Sequence, residues 1–268
     1  MSSHAYRYTA KLTGKRVLIL GGTSGIGFGV SEAAVEHGAQ VVLSSSNPSK
    51  LSHAASRLQS TYPNETAKNP ITFHSCDLSD SKNLENNLSS LFEDATASGK
   101  YKINHIVFTA GDALKIAPLS ELNIEDIHRS GLVRYIAPCI IAKLIPKYVE
   151  LNTENSFTIT GGSNTWKPGP GWAIFSGWGG AVEGLARGLA VDLKPLRVNA
   201  ISPGAVNTEL FSGLPKDRLE KVLEFYRSTS TTGTVGTPQD LAEAYLYVMK
   251  DHFVTGSVVE SNGGRLLV

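Results

Sequence analysis

The apolar run Arg16-Val17-Leu18-Ile19-Leu20 leads without a break into Gly21-Gly22-Thr23-Ser24-Gly25-Ile26-Gly27, and a helical pattern follows at once. Glycines at 21, 25 and 27 allow a tight turn and a close approach to an anion, while the free N–H groups at a helix start favour negative charge. A plain strand-to-helix connection uses a similar turn, but strand, turn and helix together are the context of a dinucleotide's pyrophosphate, with Thr23, Ser24 and Ile26 completing the cradle. The second apolar run ends in Leu43-Ser44-Ser45-Ser46-Asn47-Pro48-Ser49-Lys50, without the acid that would hold a ribose diol. Hydroxyls at Ser45 and Ser46, the Asn47 amide, Lys50 and Arg57 suit a 2′-phosphate instead, which favours NADPH/NADP+ over the NAD pair. An ordinary polar loop capping the next helix would use the same residues.

Those groups need a scaffold, and short β-branched runs alternating with longer amphipathic segments predict one: an α/β fold with a mainly parallel, doubly wound sheet of the Rossmann type. Seven strands are expected, at Arg16–Leu20, Gln40–Ser44, Thr72–Ser75, His105–Thr109, Ser156–Thr160, Arg197–Ser202 and Ser257–Glu260. Helices are expected at Ile26–Glu36, Lys50–Gln59, Lys82–Ala97, Ile124–Tyr148, Trp172–Leu193 and Gln239–Met249, on both faces of the sheet. The alternation is unbroken by any linker or repeat, so residues 1–268 read as one domain. Its longest irregular stretch, 207–237, carries a short helical pattern at Lys216–Tyr226 and is a candidate substrate lid.

Composition narrows the function classes. With 25 Lys+Arg against 24 Asp+Glu there is no basic field for a nucleic acid. The first apolar run is too short for a signal or a membrane span, and two cysteines, Cys76 and Cys139, make neither a disulfide framework nor a thiolate metal site. These features predict a cytoplasmic protein with no metal, membrane or nucleic-acid partner. Asn64-Glu65-Thr66 and Asn87-Leu88-Ser89 match the glycosylation pattern and read as surface Asn by chance.

Several further segments occur in a telling order. Gly21, Gly25 and Gly27 fit TGxxxGxG with Leu20 in place of Thr; Cys76-Asp77-Leu78 and Thr109-Ala110-Gly111 follow; Arg197-Val198-Asn199 runs on to Pro203, Gly204, Val206 and Thr208; Thr255-Gly256 precedes Asn262-Gly263-Gly264. In these motifs the chain resembles the short-chain dehydrogenase/reductase family over nearly its whole length. The resemblance implies that Asp77 and Leu78 contact the adenine, that Thr109, Ala110 and Gly111 stand in for the NAG segment, and that the Pro203–Thr208 segment lines the nicotinamide. It also implies a homodimer or homotetramer, and the small residues Gly177, Gly179, Gly180, Ala181, Gly184 and Gly188 would let one helix pack closely against a copy or against the sheet.

In that family a Ser polarises a carbonyl and a Tyr in YxxxK donates the proton. Ser163 falls at the serine position, but Phe175 stands where Tyr belongs and Gly179 where Lys belongs. The relay Asn is replaced near Val133 or Arg134; Arg134 would supply positive charge beside the cofactor, or lie as a solvated arginine on a helix face. The intervening loop, Asn164 to Trp172, puts Trp166 and Trp172 at the expected substrate entrance, where indoles hold flat, apolar or cationic ligands. Trp172 could equally anchor the core, and Lys167 is either an acid or solvent-facing.

A ketone needs hydride and proton, whereas an iminium needs hydride alone, so these losses favour an NADP(H)-dependent oxidoreductase acting on an activated or conjugated small molecule. The chain also resembles fungal members of the family that act as reductases and Diels-Alderases in indole alkaloid biosynthesis, with an Arg on the same helix and an Asp and a Trp in the loop after the serine. Arg134 and Trp172 match two of these, and the loop has no Asp. The expected substrate is an apolar or cationic heterocycle. A carbonyl reductase drawing its proton from Tyr135, Lys167 or water, and a silent cofactor-sensing protein, are the other readings.

Overall fold

A computed structural model describes residues 6–114, 116–209 and 215–268. All seven expected strands are present: β1 (Arg16–Leu20), β2 (Gln40–Ser45), β3 (Thr72–Ser75), β4 (His105–Phe108), β5 (Ser156–Thr160), β6 (Arg197–Pro203) and β7 (Val258–Ser261). They form a single parallel sheet in the order β3-β2-β1-β4-β5-β6-β7. Its register sets Leu18 of β1 beside Val42 of β2 and Ile106 of β4. Side chains alternate across a strand, and here both faces are covered, which is why the strands read as continuous apolar runs.

One layer contains α1 (Gly25–Glu36), α2 (Pro48–Thr61) and α9 (Pro238–Lys250), packed with Val17, Ile19, Val41 and Leu43. The other contains α4 (Leu84–Thr96), α6 (Ala137–Tyr148) and α7 (Ala173–Asp192), packed with Leu18, Leu20, Ile106, Phe108 and Phe157. The sequence order reverses between β1 and β4, so their C-terminal ends form the switch-point crevice where an open α/β sheet places its ligand. A short α3 (Pro63–Lys68) was not expected; Pro63 starts it and Lys68 ends it within two turns.

The expected helix Ile124–Tyr148 is not continuous. It divides into α5 (Ile124–Gly131), a π turn over Leu132–Ile136, and α6. Pro138 explains the division: it has no N–H to donate to the carbonyl of residue 134, and its ring would crowd that carbonyl in a regular helix. The wider turn instead pairs the Ala137 N–H with the Leu132 carbonyl. The candidate lid carries its helix, α8 (Lys216–Ser228); the part of it at 210–214 lies outside the described residues.

Buried polar groups fix the end of the sheet opposite the crevice. Arg197, 2% exposed, donates from Nε to the Thr153 carbonyl at 2.6 Å, from one terminal nitrogen to Met249 at 3.0 Å, and from the other to Val248. It thereby satisfies carbonyls at the end of α9, so the RVN segment begins as a structural fastener and only its Pro203-Gly204 end reaches the crevice. His105 at the start of β4 is 1% exposed and bonds the Ser156 hydroxyl at 2.9 Å through Nδ1.

Burial first, then the charge of Arg197, push His105 down from 6.5 to about 3, so it is neutral in the fold. The unfolded chain binds the proton more readily, and the His105 contribution to stability is complete above about pH 6.5 and falls as pH drops toward 3. The slope is at most about 1.4 kcal/mol per pH unit. Urea unfolding at pH 5.0 and 6.5 should show a smaller pH difference for His105→Gln than for wild type.

Candidate functional site

The glycine turn closes by backbone contact. Gly21 has φ +86° and donates its N–H to the Ser44 carbonyl at 2.8 Å. A Cβ on Gly27 would lie 2.2 Å from the Gly21 carbonyl oxygen and 2.4 Å from Oγ1 of Thr109, so only glycine fits. Thr109 also donates its hydroxyl to the Leu20 carbonyl at 2.9 Å, tying the Thr109-Ala110-Gly111 segment to the turn. Gly25, at φ +51°, donates its N–H to a carboxylate oxygen of Glu209 at 2.8 Å. An anion on the first turn of α1 is what this backbone accommodates, so the donors fit a dinucleotide's pyrophosphate.

The segment expected to line the nicotinamide is the loop after β6. Gly204 donates to the Ser261 carbonyl at 3.0 Å, and a Cβ there would meet the backbone of Asn262 at 2.8 Å. Val206 is buried and bridges to Gly236. The Thr208 side chain reaches the first turn of α1, where its methyl would be 3.1 Å from a Cβ on Gly25. Thr23, Ser24 and Ile26 lie half-buried along the same turn.

At the end of β2, Ser45 is half-buried while Ser46, Asn47 and Lys50 are exposed. The Asn47 amide oxygen accepts from the Lys50 N–H at 3.0 Å and caps α2. Arg57 is not part of this cluster: its guanidinium stacks 4.0 Å above the Phe28 ring on α1. Asp77 accepts from the N–H and hydroxyl of Ser79 at 2.8 and 2.6 Å, while Leu78 is buried beneath it.

Arg134 projects from the π turn onto the end of β4. Its terminal nitrogen NH2 donates to the Asp112 carbonyl, its Nε lies 3.4 Å from the Asp112 carboxylate, and a Cβ on Gly111 would be 2.4 Å from its other terminal nitrogen. Burial pulls this guanidinium below its ordinary pKa and Asp112 opposes that shift. Ser163 is buried at the end of β5. Trp172 sits at the start of α7, edge-on to Phe175 at 6.0 Å. Gly171, at φ +80°, seats this loop against the 116–117 segment, where a Cβ would meet Ile116 at 2.8 Å.

The other loop residues turn elsewhere. Trp166 is 64% exposed and donates its indole N–H to Glu183 at 2.9 Å, so Trp172 alone of the two indoles stacks on Phe175. Lys167 donates to the Arg265 carbonyl at 3.1 Å, which commits it to the C-terminal turn. The Tyr135 ring packs on Trp178 at 5.3 Å, and Cys139 and burial raise its phenol pKa. A separate cleft lined by Arg16, Gln40, Lys68 and Asn69 opens at the opposite end of the sheet from the glycine turn.

Residues 8–268 match the family model for an SDR-like Rossmann domain. The chain belongs to the short-chain dehydrogenase/reductase family. It is 50% identical over 256 residues to the short-chain dehydrogenase/reductase malC of Malbranchea aurantiaca, covering 96% of each chain. It is 40% identical to fsr5 of Gibberella fujikuroi, with 97% of this chain and 98% of that protein covered. The solved structure of MalC reductase/Diels-Alderase superposes with a TM-score of 0.92 at 49% identity, over 97% of this chain and all of that one. The family is one of oxidoreductases, and its Rossmann fold implies a nicotinamide cofactor, which the glycine turn fits.

Asp112, Thr165, Trp178, Glu209 and Arg265 escaped sequence reasoning. Asp112 adjoins Thr109-Ala110-Gly111, Glu209 adjoins Thr208 and Thr165 lies in the loop after Ser163, whereas Trp178 and Arg265 carried no local signal. Thr165 matters most for the altered helix, because a Cβ on Gly179 would lie 2.0 Å from its Oγ1. Alanine normally exceeds glycine inside a helix by about 1 kcal/mol. Gly179→Ala should nevertheless lower the melting temperature, and adding Thr165→Ala should recover most of the loss; a stabilising Gly179→Ala would show that Thr165 yields freely.

Proposed function

We propose that this protein is an NADP(H)-dependent reductase of an activated small molecule, an iminium-like or conjugated heterocycle, in specialised metabolite biosynthesis. The observation that carries the reading is the filled space at Gly179, where Thr165 occupies the direction in which the family's lysine would project. Phe175 beside it has no proton to donate. The relatives support the setting: MalC is named a reductase and Diels-Alderase, and it shares half of this chain's residues.

A bound nicotinamide supplies hydride, and the residues on the chain supply the rest. Trp172 and Phe175 form an apolar wall that excludes water and favours a flat cation. Arg134 holds the Gly111-Asp112 turn through Asp112, and because the two form an ion pair the guanidinium brings little net charge to repel a cationic substrate. Asp112 thus pairs with the helix arginine although the loop after Ser163 has no acid. A cleft of this kind can also hold a reduced product for intramolecular cyclisation. A displaced proton donor has little support, since Lys167 and Tyr135 are engaged as described.

The α7 face carrying Gly177, Gly180, Gly184 and Gly188 has open space around each glycine, which supports pairing with a second copy as a homodimer or homotetramer. Among the described residues no helix is long and apolar enough to cross a membrane and no side-chain cluster could hold a metal ion. A cytoplasmic setting is part of the proposal.

Mixed with a cyclic iminium salt, the protein should oxidise NADPH, with simple ketones left nearly unreacted and NADH bound at least tenfold more weakly, about 1.4 kcal/mol. Turnover of simple ketones near 10 s⁻¹, a typical enzymatic rate, would falsify the reading. Asn47→Asp keeps the cap on α2 and should shift binding toward NADH, because a carboxylate repels a 2′-phosphate.

Arg134→Ala should weaken cofactor binding or turnover at least tenfold, and Arg134→Lys should restore only part, because an ammonium cannot span the Asp112 carbonyl and carboxylate as a planar fork does. Trp172→Ala should raise KM for the iminium and leave NADPH affinity unchanged. Fluorescence titration and steady-state kinetics separate these effects, and an Arg134→Ala protein equal to wild type in both would return the pair to a purely structural role.

A further inference from the structure

Glu209 follows Thr208 at the end of the loop that lines the nicotinamide side, yet its carboxylate rests on the Gly25 N–H at 2.8 Å. That amide lies in the first turn of α1, within the glycine turn, where the backbone runs at φ +51° and the Thr208 side chain closes over it. Gly25 is one of the donors that a dinucleotide's diphosphate needs. A carboxylate and a phosphate compete for such an N–H by the same interaction, a charge-assisted hydrogen bond reinforced by the helix dipole. They also repel each other at short range, since both are anions.

We propose that Glu209 is a built-in competitor for the diphosphate seat, so that cofactor binding displaces its side chain from Gly25 and lowers affinity by the cost of that displacement. This rests on the cofactor reading above. The far end of the same segment is fixed independently: Thr231 donates its hydroxyl to the Gly263 carbonyl at 3.0 Å, and Arg265 donates to the Thr229 hydroxyl at 2.9 Å while its guanidinium faces the Tyr226 ring at 5.4 Å. Thr229 and Thr231 are therefore anchored to the C-terminal turn, while Glu209 is held at Gly25 by a contact that the cofactor replaces. Cofactor occupancy then sets whether Glu209 rests on Gly25, which makes it a competitor for the cofactor seat rather than a catalytic residue.

The test compares wild type, Glu209→Ala and Glu209→Gln by fluorescence titration with NADP+ and with adenosine 2′-phosphate, which has no diphosphate. Glu209→Ala should bind NADP+ at least threefold tighter, Glu209→Gln should fall between it and wild type, and affinity for adenosine 2′-phosphate should be the same in all three. Hydrogen exchange gives a readout independent of affinity. The Gly25 amide should exchange faster in free Glu209→Ala than in free wild type, and equally in both when NADP+ is bound. Variants that bind NADP+ as wild type does, or more weakly, overturn the competition. A wild-type protein that binds neither NADP+ nor adenosine 2′-phosphate overturns the cofactor reading, and this inference with it.

Discussion

The near-contact of Gly27 with the carbonyl of Gly21 is the constraint from which the rest of the crevice follows. It presses the first turn of α1 against the end of β1, leaving no room for a side chain, and so presents backbone N–H groups to an anion at a fixed height above the sheet. That height is maintained by the strands beneath. Val17 and Ile19 are buried under one helical layer and Leu18 and Leu20 under the other, so β1 cannot shift to relieve the crowding. Thr109 transmits the same constraint to β4 through the Leu20 carbonyl, and Gly111 and Asp112, which receive Arg134, follow directly from it.

Arg134 could reach that turn from a regular helix only by a different rotation. Pro138 removes one helical hydrogen bond, the helix widens to a π turn, and the side chains within the turn change direction relative to α6. A residue selected as a helix breaker four positions downstream therefore aims the guanidinium. The candidate side chain and the residue that places it are thus different, and the second is invisible to a motif. Thr165 stands in a similar relation to Gly179: its side chain fills the space that a side chain on the glycine would enter.

These cases define how much was legible beforehand. The strands, their order of appearance and the glycine turn were legible because burial on both faces and a tight turn impose local patterns. Arg57 was misplaced because its stacking on Phe28 joins α1 and α2, and nothing in the spacing of the two residues signals it. Trp166 was misplaced for the same reason, since its partner Glu183 lies on α7, beyond the loop that suggested its role. Local patterning reveals which backbone groups are exposed to a ligand. The partners of long polar side chains are set by packing between elements, and those partners decide which side chains remain available for chemistry.

Electrostatics on the two sides of the crevice point in one direction. Beside β4, the Arg134 guanidinium is matched by Asp112 at 3.4 Å; on the first turn of α1, the partial positive charge of the helix start is matched by Glu209 at 2.8 Å. With cofactor bound, the Arg134 guanidinium keeps its anionic partner Asp112, whereas the proposed displacement of Glu209 hands the helix start to the diphosphate. An ordinary family member with a lysine below the ribose would add an unpaired cation at this place, which stabilises an oxyanion forming on a ketone and disfavours a cationic substrate. Under the proposed alignment of Gly179 with that lysine, and with Arg134 paired to Asp112, the preference would reverse. In the proposed reading, the Trp172–Phe175 pair and the Arg134–Asp112 ion pair make an environment in which a delocalised cation would lose hydration at little electrostatic cost and would accept hydride without a proton donor.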